Sequence, residues 1–314
     1  MCFLPVPSPI ILNLEWHAVL YIKRTRLNVL KPVRKALTGA FAIFLLGLAV
    51  WAFAIEPASL RIRTYSLAIP DWPDHLDGIS IAVLADLHTG SPFNGLEKLR
   101  EIVAQANSAH CDLVLIAGDL VIQGVLGGTF ISPEESTNIL RDLHAPLGVY
   151  AVLGNHDWWL DANRVRKALE GASIPVLEDD AIELKMRNRS FWLSGISDFW
   201  EGPHNVEAAL QKIPPHAPII VFTHNPDVFP QVPARVAFTI AGHTHGGQVQ
   251  LPFVGRPVVP SQYGERFAVG HIVENGRHMF VSTGLGTSIL PVRFRVPPEI
   301  SILTISGQAG ERVH

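Results

Sequence analysis

Five short stretches of the sequence carry side chains that bind metal ions. They are Asp86-Leu87-His88, Gly118-Asp119, Gly154-Asn155-His156-Asp157, His224 and Gly242-His243-Thr244-His245. Together they supply carboxylates, imidazoles and one carboxamide. That mixture suits a pair of divalent cations. Two such ions about 4 Å apart repel each other, and an anionic bridge lowers the repulsion. A carboxylate makes such a bridge, and Asp119 suits the part. Imidazole and carboxamide donors complete each shell without excess negative charge, so an anionic phosphate can still approach.

Each stretch alone has an ordinary explanation. Asp86-x-His88 and Gly118-Asp119 fit plain turns, and His224 fits a satisfied core histidine. Asn155-His156-Asp157 fits the cap of a helix. His243-x-His245 puts both rings on one face if the segment is extended, because side chains alternate with a period of two. The joint pattern is what separates the metal reading from these. Every stretch ends an apolar run, five times over.

The elements that must position these residues follow from periodicity. ISIAVLA (79–85), DLVLIAG (112–118), GVYAVLG (148–154), PIIVFTH (218–224) and VAFTIAGH (236–243) read as buried strands. LEKLREIVAQAN (96–107), SPEESTNILRDLH (132–144) and DANRVRKALEG (161–171) read as helices, the second with a capping box at Ser132 and Glu135. The βαβαβα order of the first half implies a parallel sheet covered by helices. In the second half IELKMRN and SFWLSGI read as strands and VEAALQKI as a helix. Residues 267–284 read as a hairpin turning at Asn275-Gly276, and EISILTI as a last strand. The expected fold is α/β (an α+β sandwich): two stacked mixed β-sheets flanked by helices, in one domain. In open α/β sheets sites form beyond the carboxyl ends of strands, which is where the five stretches lie.

Residues 36–55, ALTGAFAIFLLGLAVWAFAI, carry no charge. As a helix they would reach about 30 Å, the thickness of a bilayer core. Residues 1–35 hold six basic side chains against one acid, so with a net charge of −3 the remainder carries −8. The positive-inside rule then keeps the N-terminus in the cytoplasm and the body outside, as a single-pass inner-membrane protein. A signal peptide cleaved near Ala52-Phe53-Ala54 and a buried core helix are the alternatives, and a body facing the cytoplasm is a further one. The expected organisation is a basic segment (1–35), a transmembrane anchor (36–56), a linker (57–78), a catalytic domain (79–305) and a tail (306–314). Mean hydropathy is +0.25 with 48% hydrophobic residues, which fits one membrane segment on a globular body. An acidic body argues against general nucleic-acid binding. Cys2 and Cys111 build neither a disulfide framework nor a cysteine-rich zinc site, and Cys111 reads as a small buried hydrophobe.

The five stretches, in this order, resemble the five-part signature of the calcineurin-like metallophosphoesterases, over roughly residues 79–305. GHTHGGQVQLP and GLGTSILPVRFRVPPEI resemble a bacterial branch of membrane-associated phosphodiesterases related to UDP-2,3-diacylglucosamine pyrophosphatases. The resemblance implies the four-layer fold of that family and two divalent ions, manganese, iron or zinc. It implies that Asp86, His88 and His245 hold one ion and Asn155, His224 and His243 the other, with Asp119 between. It further implies attack of a metal-bridging hydroxide on phosphorus, with His156 protonating the leaving oxygen and Asp157 orienting it or capping a helix. The implied substrate is a phosphodiester or pyrophosphate, lipid- or nucleotide-linked. A phosphomonoesterase on the same site and a non-catalytic metal-binding scaffold are the alternatives. Trp158, Trp159, Phe199 and Trp200 are candidates to rim the site, and Arg293 to hold a second phosphate; ordinary packing, or a surface salt bridge for Arg293, explains them equally.

Overall fold

Uninterrupted runs of Ile, Leu, Val and Ala bury both faces of a strand, and here they build the centres of two sheets. A computed structural model of the protein describes residues 9–186 and 189–307; of residues 9–30 it describes the backbone and the side chains of Tyr21 and Lys23. The chain divides into two units at Val50/Trp51.

The first unit is helix α1, Pro9–Val50, with Pro32 inside it. Residues 31–50 are almost wholly exposed. The stretch Lys31–Ala58 is long and apolar enough to cross a membrane, and only 6% of its apolar window is buried, so it is not a core helix. Residues 1–8 and 308–314, and with them Cys2, lie outside the described residues.

The second unit opens with a π-helical turn, Trp51–Ile55, and a single α-turn, α2, Glu56–Ala58. Then follow β1 (Arg61–Ala68), β2 (Ile79–Leu84), α3 (Leu96–Ser108), β3 (Leu113–Ala117), α4 (Pro133–Leu140), β4 (Val149–Val152) and α5 (Asn155–Gly171). The second half holds β5 (Asp180–Met186), β6 (Arg189–Ile196), α6 (Val206–Leu210), β7 (Ile219–Thr223), β8 (Phe238–Ala241), β9 (Gly270–Glu274), β10 (Arg277–Val281) and β11 (Glu299–Ser306).

One sheet has the order β1-β11-β2-β3-β4, the other β5-β6-β7-β8-β10-β9. Both are mixed. β2, β3 and β4 are parallel, and β11 returns antiparallel to β2. In the second sheet β6, β7, β8 and β10 are parallel, with β5 and β9 antiparallel at the edges. One apolar core, with Ile81, Val83, Leu115, Ile220, Phe222 and Ile240, lies between the sheets. A second packs α3, α4 and α5 on the first sheet, and a third packs α6 on the second. The layers are therefore helix, sheet, sheet, helix. Deleting one methylene from the seam tests its packing: Ile220→Val should lower unfolding free energy by about 1 kcal/mol, read as a lower denaturant midpoint at unchanged slope.

Three elements differ from the sequence expectation. Residues 57–78 are not merely a linker: they include β1, which pairs with β11 from Arg61↔Glu299 to Ala68↔Ser306. Its residues, RIRTYSLA, are mostly exposed, so no apolar run announced it. Helix α4 is shorter than 132–144, although the Ser132–Glu135 capping box is present. Helix α5 begins at Asn155, not 161, and Asp161 inside it is extended (φ 177°, ψ 100°). The hairpin does turn at Asn275-Gly276, both with positive φ. Cys111 is free and buried.

Candidate metal centre

Each of the central strands stops just short of a polar side chain, and the stacked sheets bring these side chains together. Asp86 and His88 follow β2, Asp119 follows β3, and Asn155 and His156 open α5 after β4. His224 follows β7, and His243 and His245 follow β8. All are buried. Asp86, His88 and His245 form one group whose ligand atoms lie within 4.8 Å of one another; Asp119, His224 and His243 form a second; His88, Asp119 and His156 form a third.

Asp119 Oδ2 lies 3.3 Å from His88 Nε2 and 3.3 Å from His224 Nε2. It stands between the first two groups. Asn155 Oδ1 is 3.1 Å from His224 Nε2. Asp86 accepts the His243 backbone N–H at 2.9 and 3.1 Å, which ties the loop after β8 to the end of β2.

The backbone that delivers these side chains is left-handed. Asp86 (φ 50°), His88 (φ 38°), Asp119 (φ 55°), His243 (φ 69°) and His245 (φ 51°) all have positive φ. Such residues are uncommon outside glycine, and they cluster at functional sites where the surroundings hold them. His243 and His245 thus converge by a tight turn, not by strand periodicity. β8 has already ended at Ala241. Thr244 Oγ1, between them, donates to Ala268 O. Gly246 (φ 56°) and Gly247 (φ 72°) continue the turn. A Cβ on Gly246 would come within 2.9 Å of Val296 Cγ1, and one on Gly247 within 2.7 Å of Val258 O.

The donor chemistry fits divalent cations. His88 Nδ1 donates to Val121 O (3.1 Å) and His224 Nδ1 to Ala117 O (2.8 Å). A carbonyl only accepts, so each Nε2 is left as the free lone pair. Those lone pairs face ring nitrogens delivered by the other sheet: His245 Nε2 is 3.1 Å from His88 Nε2, and His243 Nδ1 is 3.0 Å from His224 Nε2. Four imidazoles thus turn nitrogen atoms towards one shared space, as ligands to cations do. The electrostatics agree. Burial disfavours a charge on His224, yet Asp119, Asp86 and Asp198 outweigh it and raise its pKa to about 10. The surroundings stabilise positive charge at that nitrogen. Burial pushes His88 down to about 3, so it is a neutral ligand-type imidazole. Burial would raise Asp119, but the facing histidines, His224 first, hold it well below the usual carboxylate range.

His156 lies beside the ligand groups. Its backbone N–H donates to Asp119 Oδ1 (2.9 Å), its ring packs edge-on against His88, and its Nδ1 is buried with no partner. Burial holds its pKa below the usual histidine value. Asp157 does not orient it. Its carboxylate accepts the N–H groups of Leu120 (2.9 Å), Val121 (3.2 Å) and Gly154 (3.0 Å), clamping the loop that carries Asp119 to the start of α5.

A cavity of about 550 Å³ opens on the centre, with Asp119, Asn155, His156, His243 and His245 at its floor. Its walls are mostly apolar: Val249, Pro257, Val258 and Pro260 on one loop, Ile289, Leu290 and Val292 on another. Trp200 lines it, edge-on to His243 at 4.3 Å. Trp158 does not line it. Its neighbour Trp159 does, against the His156 ring at 4.7 Å. Trp158 packs on the core under α5, because consecutive helical residues point about 100° apart. Phe199 packs on the core under the second sheet. Arg293 is neither a phosphate contact nor a surface ion pair. It is fully buried, and its guanidinium donates to the carbonyls of Thr283, Gly284, Gly286 and Val296.

Asp198 escaped the sequence reading. It is buried, accepts the N–H groups of Trp200 and Glu201, and adds negative charge facing His224. It lies two residues beyond the end of β6 at Ile196, the same offset at which Asp86 follows β2 and Asp119 follows β3, so the strand end of SFWLSGISD was the signal that could have found it.

Comparison with known proteins agrees with this geometry. A Bacillus subtilis protein named uncharacterized metallophosphoesterase YkuE is 29% identical over 258 residues, covering 81% of this chain and 88% of its own. The Escherichia coli phosphodiesterase YaeI is 29% identical over 256 residues, covering 80% and 90%. The Chlamydia trachomatis UDP-2,3-diacylglucosamine pyrophosphatase LpxG is 27% identical over 314 residues, covering 81% and 92%. Residues 79–247 match the family model for the calcineurin-like phosphoesterase domain, more than half of the sequence, and the chain belongs to that family.

Proposed function

We propose that this chain is a membrane-anchored phosphoesterase with two divalent metal ions, cleaving a phosphodiester or pyrophosphate bond in a lipid- or nucleotide-linked substrate. The observation that carries the two-ion reading is Asp119 Oδ2, equidistant from His88 Nε2 and His224 Nε2. Asp86, His88 and His245 would hold one ion. Asn155, His224 and His243 would hold the other, with Asp119 shared. Mixed nitrogen and oxygen donors suit manganese, iron or zinc. When bound, such ions supply Lewis acidity towards a phosphoryl oxygen and a water acidified towards neutrality.

The remaining steps belong to the chain's own residues. His156 stands at the cavity floor and hands a proton to the departing oxygen. Trp159 and Trp200 narrow the mouth beside it and keep bulk water from the reacting phosphate. The apolar walls of the cavity favour a substrate with an acyl or other apolar arm. The body, from Trp51 onward, is the catalytic part, and the apolar helix ahead of it, the first part of the candidate span Lys31–Ala58, is the anchor. The basic residues ahead of it put the body outside the cytoplasm. Alkaline phosphatase fused after His314 should therefore be active, and that side of the membrane favours a lipid-linked over a nucleotide-linked substrate.

The full chain in detergent, stripped by chelator and reloaded with Mn²⁺, should hydrolyse bis-p-nitrophenyl phosphate faster than p-nitrophenyl phosphate. Faster monoester cleavage overturns the diester reading. Bound ions with no turnover would make the protein a metal-binding scaffold.

A further inference from the structure

Two exposed loop tips carry side chains that neither the backbone nor the core explains. Phe253 is fully exposed with φ 65°, and Ile289 is 71% exposed with φ 62°. The left-handed region favours glycine or asparagine, and a bulky or β-branched residue there is an outlier. Nothing in the body buries either side chain. Phe253 tops a turn closed by Leu251 N–H to Gly255 O (2.8 Å) and Gly255 N–H to Leu251 O (3.1 Å), with exposed Val254 beside it.

The two tips belong to one surface. The Gln248 carboxamide joins their loops, accepting Ser288 N–H at 2.8 Å and donating to Ser288 O at 3.1 Å. Ile289 O accepts the N–H of Leu126, another exposed apolar residue, at 2.9 Å. Further along the loop that carries Ile289, Arg293 N–H donates to Ala52 O (2.9 Å) and Glu56 Oε1 accepts Val296 N–H (2.6 Å). These bonds fasten the loop to the end of the apolar stretch Lys31–Ala58, where Trp51, Phe53 and Ile55 are exposed. Arg295, on the same loop, is exposed and offers a cation to anionic headgroups. The exposed tips of this surface, Leu126, Phe253, Val254, Ile289 and Leu290, are apolar, and Ile289 also lines the cavity.

We propose that this surface docks on a lipid bilayer, with Phe253, Val254, Ile289 and Leu126 entering the headgroup–acyl boundary and the cavity opening onto it. The occupant is the bilayer because the same loop is bonded to the end of the candidate span. An amphipathic helix lying in the interface buries its apolar face about 5–10 Å deep, and the tips would sit at a comparable level. A phosphate ester held in the membrane then reaches the metal centre without leaving it. The proposal rests on the membrane-anchored reading above and adds a second, independent membrane contact.

The test uses the full chain in nanodiscs holding one copy each, in a Cys2→Ser background, Cys111 being buried. A polarity-sensitive fluorophore is attached at Phe253→Cys, at Val254→Cys as a second position, and at Glu97→Cys on α3 as an exposed control. At 253 and 254 the emission should shift to the blue and be quenched several-fold more by nitroxide-bearing lipids than at 97. Phe253→Asp should remove the shift of a probe at Leu126→Cys while leaving bis-p-nitrophenyl phosphate hydrolysis unchanged. Nanodisc-bound, active protein with quenching at 253 and 254 equal to that at 97 overturns the docking surface alone. A blue shift without nitroxide quenching assigns the surface to protein and overturns it too. Protein that separates from the nanodiscs on carbonate washing, with the probes in water, overturns the anchor as well.

Discussion

Asp119→Asn is expected to cost the protein at least one of its two ions and to lower turnover on the order of a thousandfold, about 4 kcal/mol of transition-state stabilisation. The exchange is nearly isosteric. Oδ1 can still accept the His156 backbone N–H, and the main-chain O of residue 119 still accepts His88 N–H at 2.8 Å. What disappears is the negative charge facing His88 and His224 from 3.3 Å on each side. Two cations then share a buried site without the anion that screens them. Elemental analysis should find at most one ion per chain where the parent holds two, and the circular dichroism spectrum should not change. Two ions bound at parental affinity, with full turnover, would refute the shared-ligand reading.

His156→Ala should leave both ions in place and reduce kcat by about 10²–10⁴-fold. The size of the loss should depend on the leaving group. A p-nitrophenolate departs without help, so its loss is small; an alkoxide needs the proton, so its loss is large. Burial keeps the imidazole below its usual pKa. The protonated form is therefore the minority at neutral pH, and kcat/KM should fall as pH rises through that pKa. The variant should lack this limb. Because the His156 ring also groups with His88 and Asp119, metal content is the deciding control. Loss of an ion in the variant would make His156 a ligand and not a proton donor.

Much of this was legible in the chain because apolar runs and the residues ending them are adjacent in sequence. ISIAVLA and DLVLIAG name their strands, and Asp86, His88 and Asp119 follow within a few positions. What was not legible depends on contacts made at a distance. β1 reads as a polar linker because it pairs only with β11, 238 residues later, and exposes most of its side chains. The pairing of His243 with His245 suggested an extended segment, whereas their convergence comes from left-handed φ that no periodicity encodes. Trp158 and Trp159 are chemically identical in sequence, and only the start of α5 at Asn155 decides which faces the cavity. Arg293 reads as a surface cation until four carbonyls are found converging on it.

The ligand groups draw on both sheets. Asp86, His88, Asp119 and Asn155 come from one, His224, His243 and His245 from the other, and His88 and His245 stand 157 positions apart in the chain. No partial fold holding a single sheet can offer either ion a complete set of donors. On the proposed two-ion reading, ion capture would follow closure of the seam. Each bound ion would then act as a removable staple across that seam, adding stability that grows as RT ln(1 + [M]/Kd) with free metal. The lifetime of the protein against proteolysis should accordingly follow the metal supply of the compartment where it works, short in starvation and long in plenty, with no change in the amount synthesised.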